Sequence, residues 1–413
     1  MLTTLSRCSR IRKREEPSWC SRERDQSSLS APFHRKDISS GCYSLQLTST
    51  PERYLIMPRT GATNFLVIGA GITGLSTATL LQRHFSTAQI TIVAAETPTT
   101  PSPSVDYASM WAGAHYRPIH PLSTDQLKEE FRMGVRTREI MKGIARDFPD
   151  SGVEVMPGVE YLENPLQEIL KIRTGDEYAG PNDEFRVLPQ DELPDGAKWG
   201  CEYQSYCVNI SRYCRWLTER FLANGGRILQ RRLSNATEAF SFAERNRLGE
   251  ISVVVNCSGR NFDRDPKMKI IRGQTVLVRQ QYSKTVTRQN ADGSWAFLVP
   301  RPRGGGTIVG GTKEVDDWHD TPRPETRAKL LRQSVEMFPY FVDSIEKFEV
   351  VQDNVGRRPW REGGYRIETE SFGPGRTVVH GYGAGGRGYE LSWGAAERIL
   401  ELVKESVGAG ARL

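Results

Sequence analysis

A strand–turn–helix motif near residue 70 constrains this chain more than any other feature of its sequence. Residues 65–68 form a short apolar run that is typical of a buried parallel strand, and a helical apolar pattern continues to Leu81. Between them stands G-x-G-x-x-G, whose glycines permit a tight turn, close approach of the backbone to a pyrophosphate, and close packing of helix and strand. The motif therefore predicts a Rossmann-type unit that binds a dinucleotide at the helix N-terminus. The predicted contact residues are Gly69, Ala70, Gly71, Ile72, Thr73 and Gly74.

A second predicted strand narrows the choice of ligand. The apolar run at residues 90–95 ends at Glu96, where a carboxylate accepts hydrogen bonds from a ribose diol and disfavours a 2′-phosphate. A glycine-rich turn without a ligand fits this strand–turn–helix setting less well. The motif alone does not separate FAD from NAD, so both remain open at this point.

Helices and strands alternate along the rest of the chain in an order that predicts a discontinuous domain. Helices are predicted at residues 125–147, after Ser211 as N-cap, and at residues 395–407. Strands are predicted at residues 253–255, 275–278, 295–299, 307–309 and 377–380. The βαβ signal occurs at both ends of this region, so we predict an α/β protein with a β-rich domain inserted into a Rossmann-type domain. The Rossmann-type domain comprises residues 63–118, 205–265 and 354–407. The inserted domain comprises residues 119–204 and 266–353, and residues 408–413 form a tail.

Composition and charge exclude several other classes of protein. The chain has 413 residues and a net charge of +6, much of which comes from its first sixty residues. We find no basic face with interleaved aromatic residues, so a nucleic-acid partner is not expected. The uncharged stretch at residues 64–82 contains three glycines and fits a strand–turn–helix better than a membrane span. Seven scattered cysteines without a C-x-x-C pair predict free thiols and no metal site.

The N-terminal segment, residues 1–56, is rich in Ser, Arg and Pro and lacks apolar periodicity. It is predicted to be disordered or a gene-model extension, because Met57 directly precedes a suitable domain start. A transit peptide is the functional alternative. Glu15, Glu16 and Glu23 count against it, since such peptides contain few acidic residues.

Further motifs follow the glycine turn in the order seen in D-amino-acid oxidases, and the chain resembles that family over roughly residues 64–406. The resemblance implies FAD as cofactor, an FAD-binding Rossmann-type domain and a substrate-binding inserted domain. It also implies oxidative deamination of D-amino acids to 2-oxo acids, with release of ammonia and hydrogen peroxide. The motifs are S-M-W-A-G-A-H-Y-R-P at 109–118, V-N-C-S-G at 255–259, F-L-V-P-R-P at 297–302, G-G-T at 310–312 with D-W at 317–318, G-R-R-P at 356–359, and H-G-Y-G-A-G-G at 380–386.

The resemblance also implies roles for individual residues. Arg358, in the G-x-R-P motif, binds the substrate carboxylate with both arms of its planar guanidinium, and the backbone carbonyl of Gly386 accepts a hydrogen bond from the substrate amine. Phe297 stands where most members carry a tyrosine whose hydroxyl also touches the carboxylate, a loss of ~1.5–3 kcal/mol at most. The further contacts implied with FAD are Ser109, Ala112, Gly113, Ala114, Ser258, Gly385, Arg387, Gly388, Tyr389 and Glu390.

The preferred substrate side chain stays open because of Lys313. It stands where the related D-aspartate oxidases use a basic residue for the side-chain carboxylate, but a solvated lysine on a strand edge fits equally well. His115 and Arg117 add positive charge to the pocket if they face it. The alternatives are a D-aspartate oxidase that prefers acidic D-amino acids, a glycine- or sarcosine-oxidising enzyme, which the motifs disfavour, and a flavin-binding protein that has lost catalysis.

The mechanism implied is hydride transfer from the substrate Cα–H to flavin N5, with the protein positioning the substrate. O₂ then reoxidises the flavin and yields hydrogen peroxide, which suits a compartment that contains catalase. Ala411, Arg412 and Leu413 are of the same chemical type as the S-K-L peroxisomal address. We therefore predict a peroxisomal matrix enzyme whose partners are a D-amino acid, O₂, the import receptor and a second copy of the chain.

Overall fold

Two β-sheets organise the part of the chain that the computed structural model describes, which is residues 64–118, 124–178, 180 and 184–410. The strands are β1 Asn64–Ile68, β2 Ile90–Ala94, β3 Val153–Leu162, β4 Arg186–Val187, β5 Trp199–Val208, β6 Arg227–Gln230, β7 Ile251–Asn256, β8 Met268–Val278, β9 Thr285–Gln289, β10 Trp295–Pro300, β11 Thr307–Gly310, β12 Glu314–Val315, β13 Val350–Arg361, β14 Arg366–Ser371 and β15 Thr377–Tyr382. The α-helices are α1 Ile72–His84, α2 Asp125–Asp147, α3 Gly175–Tyr178, α4 Ile210–Ala223, α5 Glu238–Arg245, α6 Pro324–Met337 and α7 Gly388–Gly410.

The first sheet has the order β14-β15-β7-β1-β2-β6. Every neighbouring pair is parallel except β14 with β15. Its central strands are apolar on both sides: Phe65 and Val67 pack in the same core as Leu75 of α1, whereas Leu66 packs with Phe240 of α5. Helices cover both faces of a mainly parallel sheet, so the predicted Rossmann-type fold is confirmed.

The second sheet has the order β12-β8-β11-β10-β9-β3-β5-β4. Strand β13 lies outside this linear order and pairs with β8 along residues 268–278. Its neighbours are antiparallel except for β3 with β9. One face packs against α6, where Val276 and Leu298 share a core with Leu330. The other face presents Phe297 to the space between the two sheets. This sheet is the β-rich part of the predicted α/β architecture.

Two predicted domain boundaries fall inside strands of the second sheet. The boundary at 204/205 cuts β5, and the boundary at 353/354 cuts β13, which pairs with β8 along residues 350–361. A strand held by a continuous ladder of hydrogen bonds belongs to one sheet along its length, so these two predicted boundaries do not coincide with an edge of the second sheet. Arg358 is therefore presented from the second sheet, not from the Rossmann-type sheet.

Helix α2 also departs from the predicted division, because it lies against α7 of the Rossmann-type layer. The backbone N–H of Gly394 in α7 donates to Thr137 Oγ1, and Arg136 forms a 2.8 Å ion pair with Glu397. A side chain at Gly394 would overlap the backbone of Met133, so glycine permits this close approach of the two helices. Residues 119–204 are thus shared between the two layers.

Local details of three helices complete the comparison with the sequence. Helix α2 has the predicted bounds; α4 has Asn209 as N-cap, with Ser211 in its first turn; and α7 begins at Gly388, seven residues before the predicted start. Residues 1–56 and the tripeptide 411–413 lie outside the described residues. Within the described part of the chain, no helix is long and apolar enough to cross a membrane.

Candidate active site

A cavity of about 1410 Å³ lies between the carboxyl ends of β1, β2, β7 and β15 and the open face of the second sheet. Ligands of doubly wound sheets bind at this edge, because the loops and helix N-termini that follow the strands converge there. Every predicted site residue lines the cavity except Gly74. Gly74 lies behind the turn, where a side chain would overlap the carbonyl of Gly69, so its role is close packing alone.

The glycine turn has the shape that a pyrophosphate requires. Gly69 has φ +98°, and a side chain there would overlap the carbonyl of Cys257. The backbone N–H of Ile72 donates to Ser109 Oγ at 3.0 Å, so Ser109 caps one free amide of α1. Ser258 Oγ is buried, lines the cavity, and has no hydrogen-bond partner within the described residues. A backbone cradle with an unsatisfied hydroxyl beside it fits a phosphorylated ligand.

Glu96 follows β2 at the rim of the cavity, as predicted, but its carboxylate already has a protein partner. The backbone N–H and the hydroxyl of Ser104 each donate to it at 2.6 Å. These bonds hold the loop of residues 97–104 beside the end of β2. A ribose contact through the remaining lone pairs of Glu96 stays a prediction.

The predicted flavin segment, residues 112–114, connects the two sheets. Gly113 lies against Val299 of β10, where a Cβ atom would be 3.6 Å from the valine methyl. Ala114 lies in the left-handed region, at φ +50°, and its carbonyl accepts from the N–H of Val208. Tyr389 is buried, and its hydroxyl donates to the carbonyl of Ser109 at 2.9 Å. The phenol of Tyr389 therefore supports the loop before this segment.

Arg358 is a half-buried cation at the other end of the cavity. Its Nη1 donates to the carbonyl of Thr312 at 3.0 Å, and its guanidinium lies so close to Gly273 that a side chain there would overlap it. Burial lowers the pKa of Arg358, whereas the more distant carboxylate of Glu314 raises it. No ion pair joins Arg358 to a carboxylate in the described part of the chain. Such a guanidinium is suited to bind an anionic ligand.

Gly386 and Phe297 lie around this arginine. A Cβ atom at Gly386 would be 3.4 Å from Arg358 Cδ, so the structure brings together the predicted sites for the substrate carboxylate and amine. Phe297 pairs with Gly310 across β10 and β11, and its ring occupies the space above that glycine. The phenyl ring thus forms an apolar wall of the cavity without a hydroxyl group.

Comparisons with known proteins agree with this geometry. A model of the family described as FAD dependent oxidoreductase matches residues 64–402. A D-aspartate oxidase of Talaromyces thermophilus is 56% identical over 353 residues, which cover 82% of this chain and 94% of that protein. A D-amino-acid oxidase of Fusarium vanettenii is 31% identical over 366 residues, which cover 84% and 98%. The chain belongs to the D-amino-acid oxidase family. As a member of this family, it is an FAD-dependent oxidoreductase.

A solved structure shows that the fold extends beyond close relatives. The glycine oxidase of Geobacillus kaustophilus superposes with a TM-score of 0.63 at 17% identity, over 83% of this chain and 95% of that one. At this identity the likeness concerns the fold alone. The cofactor of the family fits the cavity, since the glycine turn, Ser258 and residues 385–390 all line it and Ser258 Oγ is unsatisfied within the described residues.

Lys313 lies on the connection from β11 to β12 and lines the same cavity as Arg358 and Phe297. Its side chain is exposed, and no ion pair engages it among the described residues. The adjacent Glu314 is held by Arg272 and by Arg323, the latter at 3.3 Å. This arrangement leaves the ammonium group of Lys313 available to an anionic substrate side chain.

His115 and Arg117 contribute less positive charge than the sequence suggested. Burial lowers the pKa of His115 to about 3, and its Nδ1 lies 2.7 Å from Thr285 Oγ1, so the imidazole is neutral at physiological pH. Arg117 stays charged but forms a 3.4 Å ion pair with Glu160, and its guanidinium lies 4.5 Å from the ring centre of Trp295. Arg358 and Lys313 therefore remain cations of the cavity that have no ion pair within the described residues.

Sequence reasoning missed two buried carboxylates that shape the site. Glu160 of β3 pairs with Arg117, and Glu130 of α2 pairs with Arg387 at 3.0 Å. Glu130 lies one helical turn before Met133 and Gly134 on the buried face of α2, and an acidic residue at such a position is the signal that could have identified it. In the described residues, no cluster of His, Cys, Asp and Glu side chains is placed to hold a metal ion.

Proposed function

We propose that this protein oxidises D-amino acids. The reaction removes two electrons and two protons from the Cα–N unit to give an imino acid, which water hydrolyses to a 2-oxo acid and ammonia. O₂ takes up the two electrons and two protons and becomes hydrogen peroxide. The observation that carries the proposal is the half-buried guanidinium of Arg358 beside Gly386, which has no ion pair within the described residues, because a free amino acid is recognised by its carboxylate and its amine.

The chain's own residues act mainly by positioning. Arg358 binds the carboxylate at a half-buried position, where an ion pair is stronger than in solvent, and the Gly386 carbonyl accepts from the amine. Phe297 excludes water from one side of the substrate. FAD, when bound, supplies the two-electron oxidant. None of these residues has to exchange a proton with the substrate carbon.

A panel of substrates tests this proposal. Peroxide release is measured with neutral, basic and acidic D-amino acids, with their L-enantiomers, and with glycine and sarcosine. We expect turnover with D-amino acids and none with the L-enantiomers. Turnover restricted to glycine and sarcosine would contradict the proposal, as would an FAD-loaded protein whose flavin no D-amino acid reduces in the absence of oxygen.

Acidic D-amino acids are a second candidate for the preferred substrates. Two observations favour them: the unpaired Lys313 in the same cavity as Arg358, and 56% identity to a protein described as a D-aspartate oxidase. An ammonium group in the same cavity as the α-carboxylate site favours a second carboxylate on the substrate. Relative kcat/KM values for D-Asp, D-Glu and D-Ala decide between an acidic and a general preference.

We propose in addition that the enzyme resides in the peroxisomal matrix. The support is chemical, because a peroxide-forming oxidase is compatible with a catalase-containing compartment, and residues 411–413 are of the peroxisomal address type. The import receptor and a second copy of the chain are accordingly its proposed protein partners. Fluorescence localisation tests the compartment, and light scattering at several concentrations tests the dimer.

A further inference from the structure

Glu390 is a buried carboxyl group in the first turn of α7, on the wall of the cavity. Its exposed fraction is 7%. The backbone N–H of Arg117 donates a hydrogen bond to it, while its Oε2 is buried and has no hydrogen-bond partner within the described residues. A buried polar atom without a partner is rare in proteins and costs stability, so a bound ligand is a natural partner for Oε2.

The charges around Glu390 are balanced without it. Of the two cations that face it, Arg117 pairs with Glu160 and Arg387 pairs with Glu130. Glu160 faces Glu390 as well and raises its pKa. The phenols of Tyr116 and Tyr206 also face it, and they stay uncharged because burial raises their pKa values. A negative charge on Glu390 would therefore have no counter-ion of its own among these groups.

The protonation state of Glu390 changes near neutral pH as a result. Burial raises the pKa of Glu390 to about 7, and it outweighs Arg117 and Arg387, which lower the pKa. The positive end of α7 also favours the ionised form, but it does not offset the loss of solvation. Both the neutral acid and the carboxylate are thus populated in the range in which an enzyme operates.

The position of Glu390 assigns it to the redox end of the cofactor. Gly386, four residues before it in the chain, lies beside Arg358, and its partner Arg117 reaches Trp295 on the wall of the substrate end. The flavin ring must lie next to the substrate carbon, whereas the adenosine end belongs at the opposite side near Glu96. The ring offers carbonyl oxygens and ring nitrogens as hydrogen-bond acceptors, and a protonated carboxyl group complements them.

We propose that Glu390 is a proton-bearing ligand of the flavin ring: its protonated carboxyl donates a hydrogen bond from Oε2 to an acceptor atom of the ring, and its ionised form disfavours the more electron-rich reduced ring. The inference rests on FAD being the cofactor of the family and not on the substrate preference proposed above. It makes Glu390 a residue that tunes the cofactor, without contact to the substrate.

The test compares the FAD-loaded wild type with Glu390→Gln and with the control Glu401→Gln, between pH 6 and pH 9. Glutamine keeps the size of the side chain and a hydrogen-bond donor but never ionises. Glu401 undergoes the same chemical change on the exposed face of the same helix. The midpoint potential of bound FAD is titrated with a chemical reductant in the absence of amino acid. Its difference from the potential of free FAD gives the ratio of the affinities for reduced and oxidised FAD at each pH.

We expect the affinity ratio of the wild type to fall about tenfold relative to that of Glu390→Gln as the pH rises through 7, on the scale of one partly buried charge. Comparing the two proteins at each pH cancels the pH dependence of the flavin itself. Glu401→Gln should follow the wild type. Parallel curves for wild type and Glu390→Gln would overturn the proposal. Because no amino acid is present, this outcome is independent of whether D-amino acids are the substrates.

Infrared difference spectra provide a second measurement. They use the wild type alone, so they do not require that a variant folds. Reduction of bound FAD at pH 6 should shift the stretching band of a protonated carboxyl group, because its hydrogen-bond acceptor becomes more electron-rich. The band should disappear at pH 9. A difference spectrum without any protonated carboxyl band at pH 6 would contradict the proposal even if Glu390→Gln could not be produced.

Discussion

The guanidinium of Arg358 on β13 lies directly over the backbone of Gly273 on the neighbouring strand β8. Gly273 pairs with Gly356, two residues before Arg358, so the arginine side chain passes over the partner strand to reach the cavity. Any side chain at position 273 would occupy the volume of the guanidinium. The location of the predicted carboxylate anchor therefore depends on a glycine 85 residues earlier in the chain.

Gly273→Ala should weaken substrate binding without unfolding the protein. The new methyl group meets the flexible end of Arg358 and not rigid backbone, so the guanidinium shifts and folding is little affected. A misplacement of about 1 Å can cost roughly 100-fold in kcat/KM. Steady-state kinetics and thermal melting check this prediction. Gly143→Ala, on α2 with open space around it, is the control and should behave like the wild type.

Arg358→Lys should raise KM for every D-amino acid by roughly tenfold or more, and Arg358→Ala should nearly abolish turnover. Lysine cannot reproduce two parallel hydrogen bonds to a carboxylate, and alanine removes the charge as well. The flavin absorbance of both variants should match that of the wild type. Arg398→Lys, on an exposed part of α7, is the control. Near-normal kinetics in the alanine variant would refute the assignment of the anchor.

Lys313→Met should reduce kcat/KM for D-Asp or D-Glu by roughly tenfold or more, the scale of a charge pair that the bound substrate partly shields from solvent. The same change should leave D-Ala unaffected or improve it, because D-Ala has no side-chain carboxylate to pair with an ammonium group. Lys404→Met, on the exposed surface of α7, controls for the loss of a charge. Small and equal effects on D-Asp and D-Ala would exclude the acidic-substrate candidate.

Glu390→Gln should stabilise the protein at alkaline pH. In the fold the pKa of Glu390 is raised to about 7 from an ordinary value of 4.5, so its contribution to stability is complete below pH 4.5 and is lost as the pH rises through 7. The amide does not titrate. The free energy of unfolding of the variant should therefore exceed that of the wild type by on the order of 3 kcal/mol at pH 8.

Urea unfolding at pH 5 and pH 8, with the same excess of FAD, measures this difference. At pH 5 the Glu390 carboxyl group of the folded wild type is still almost fully protonated. The difference in the free energy of unfolding between the two proteins should therefore be much smaller. Glu401→Gln should show no comparable change with pH. An equal difference in the free energy of unfolding at both pH values would mean that Glu390 does not titrate between pH 5 and pH 8.

Removal of residues 411–413 should move the enzyme from peroxisomes to the cytosol and leave its kinetics unchanged. A tripeptide of this type is read by a receptor and has no part in the core. An N-terminal fluorescent fusion of the full chain and of the truncated chain gives the localisation. Peroxisomal fluorescence from the truncated chain would count against the proposed address.

Local features of the sequence were sufficient for the Rossmann-type unit and for much of the candidate site. The strand before Gly69, the turn and the start of α1 follow from short-range steric requirements, and α2 follows from its apolar spacing. The role predicted for Arg358 came from a four-residue motif. Interactions within a few residues dictate such features, so they can be predicted before the fold is known.

Only the tertiary structure decided which segments meet. No local signal in the sequence shows that β13 pairs with β8 along its length. The sequence suggested a charged His115, whereas burial makes the imidazole neutral. The environment of Glu390 combines Arg117, Glu160 and Arg387 from separate parts of the chain. Solvation and electrostatic balance depend on atoms that are distant in sequence, and the pKa values at this site therefore follow from packing and not from local sequence.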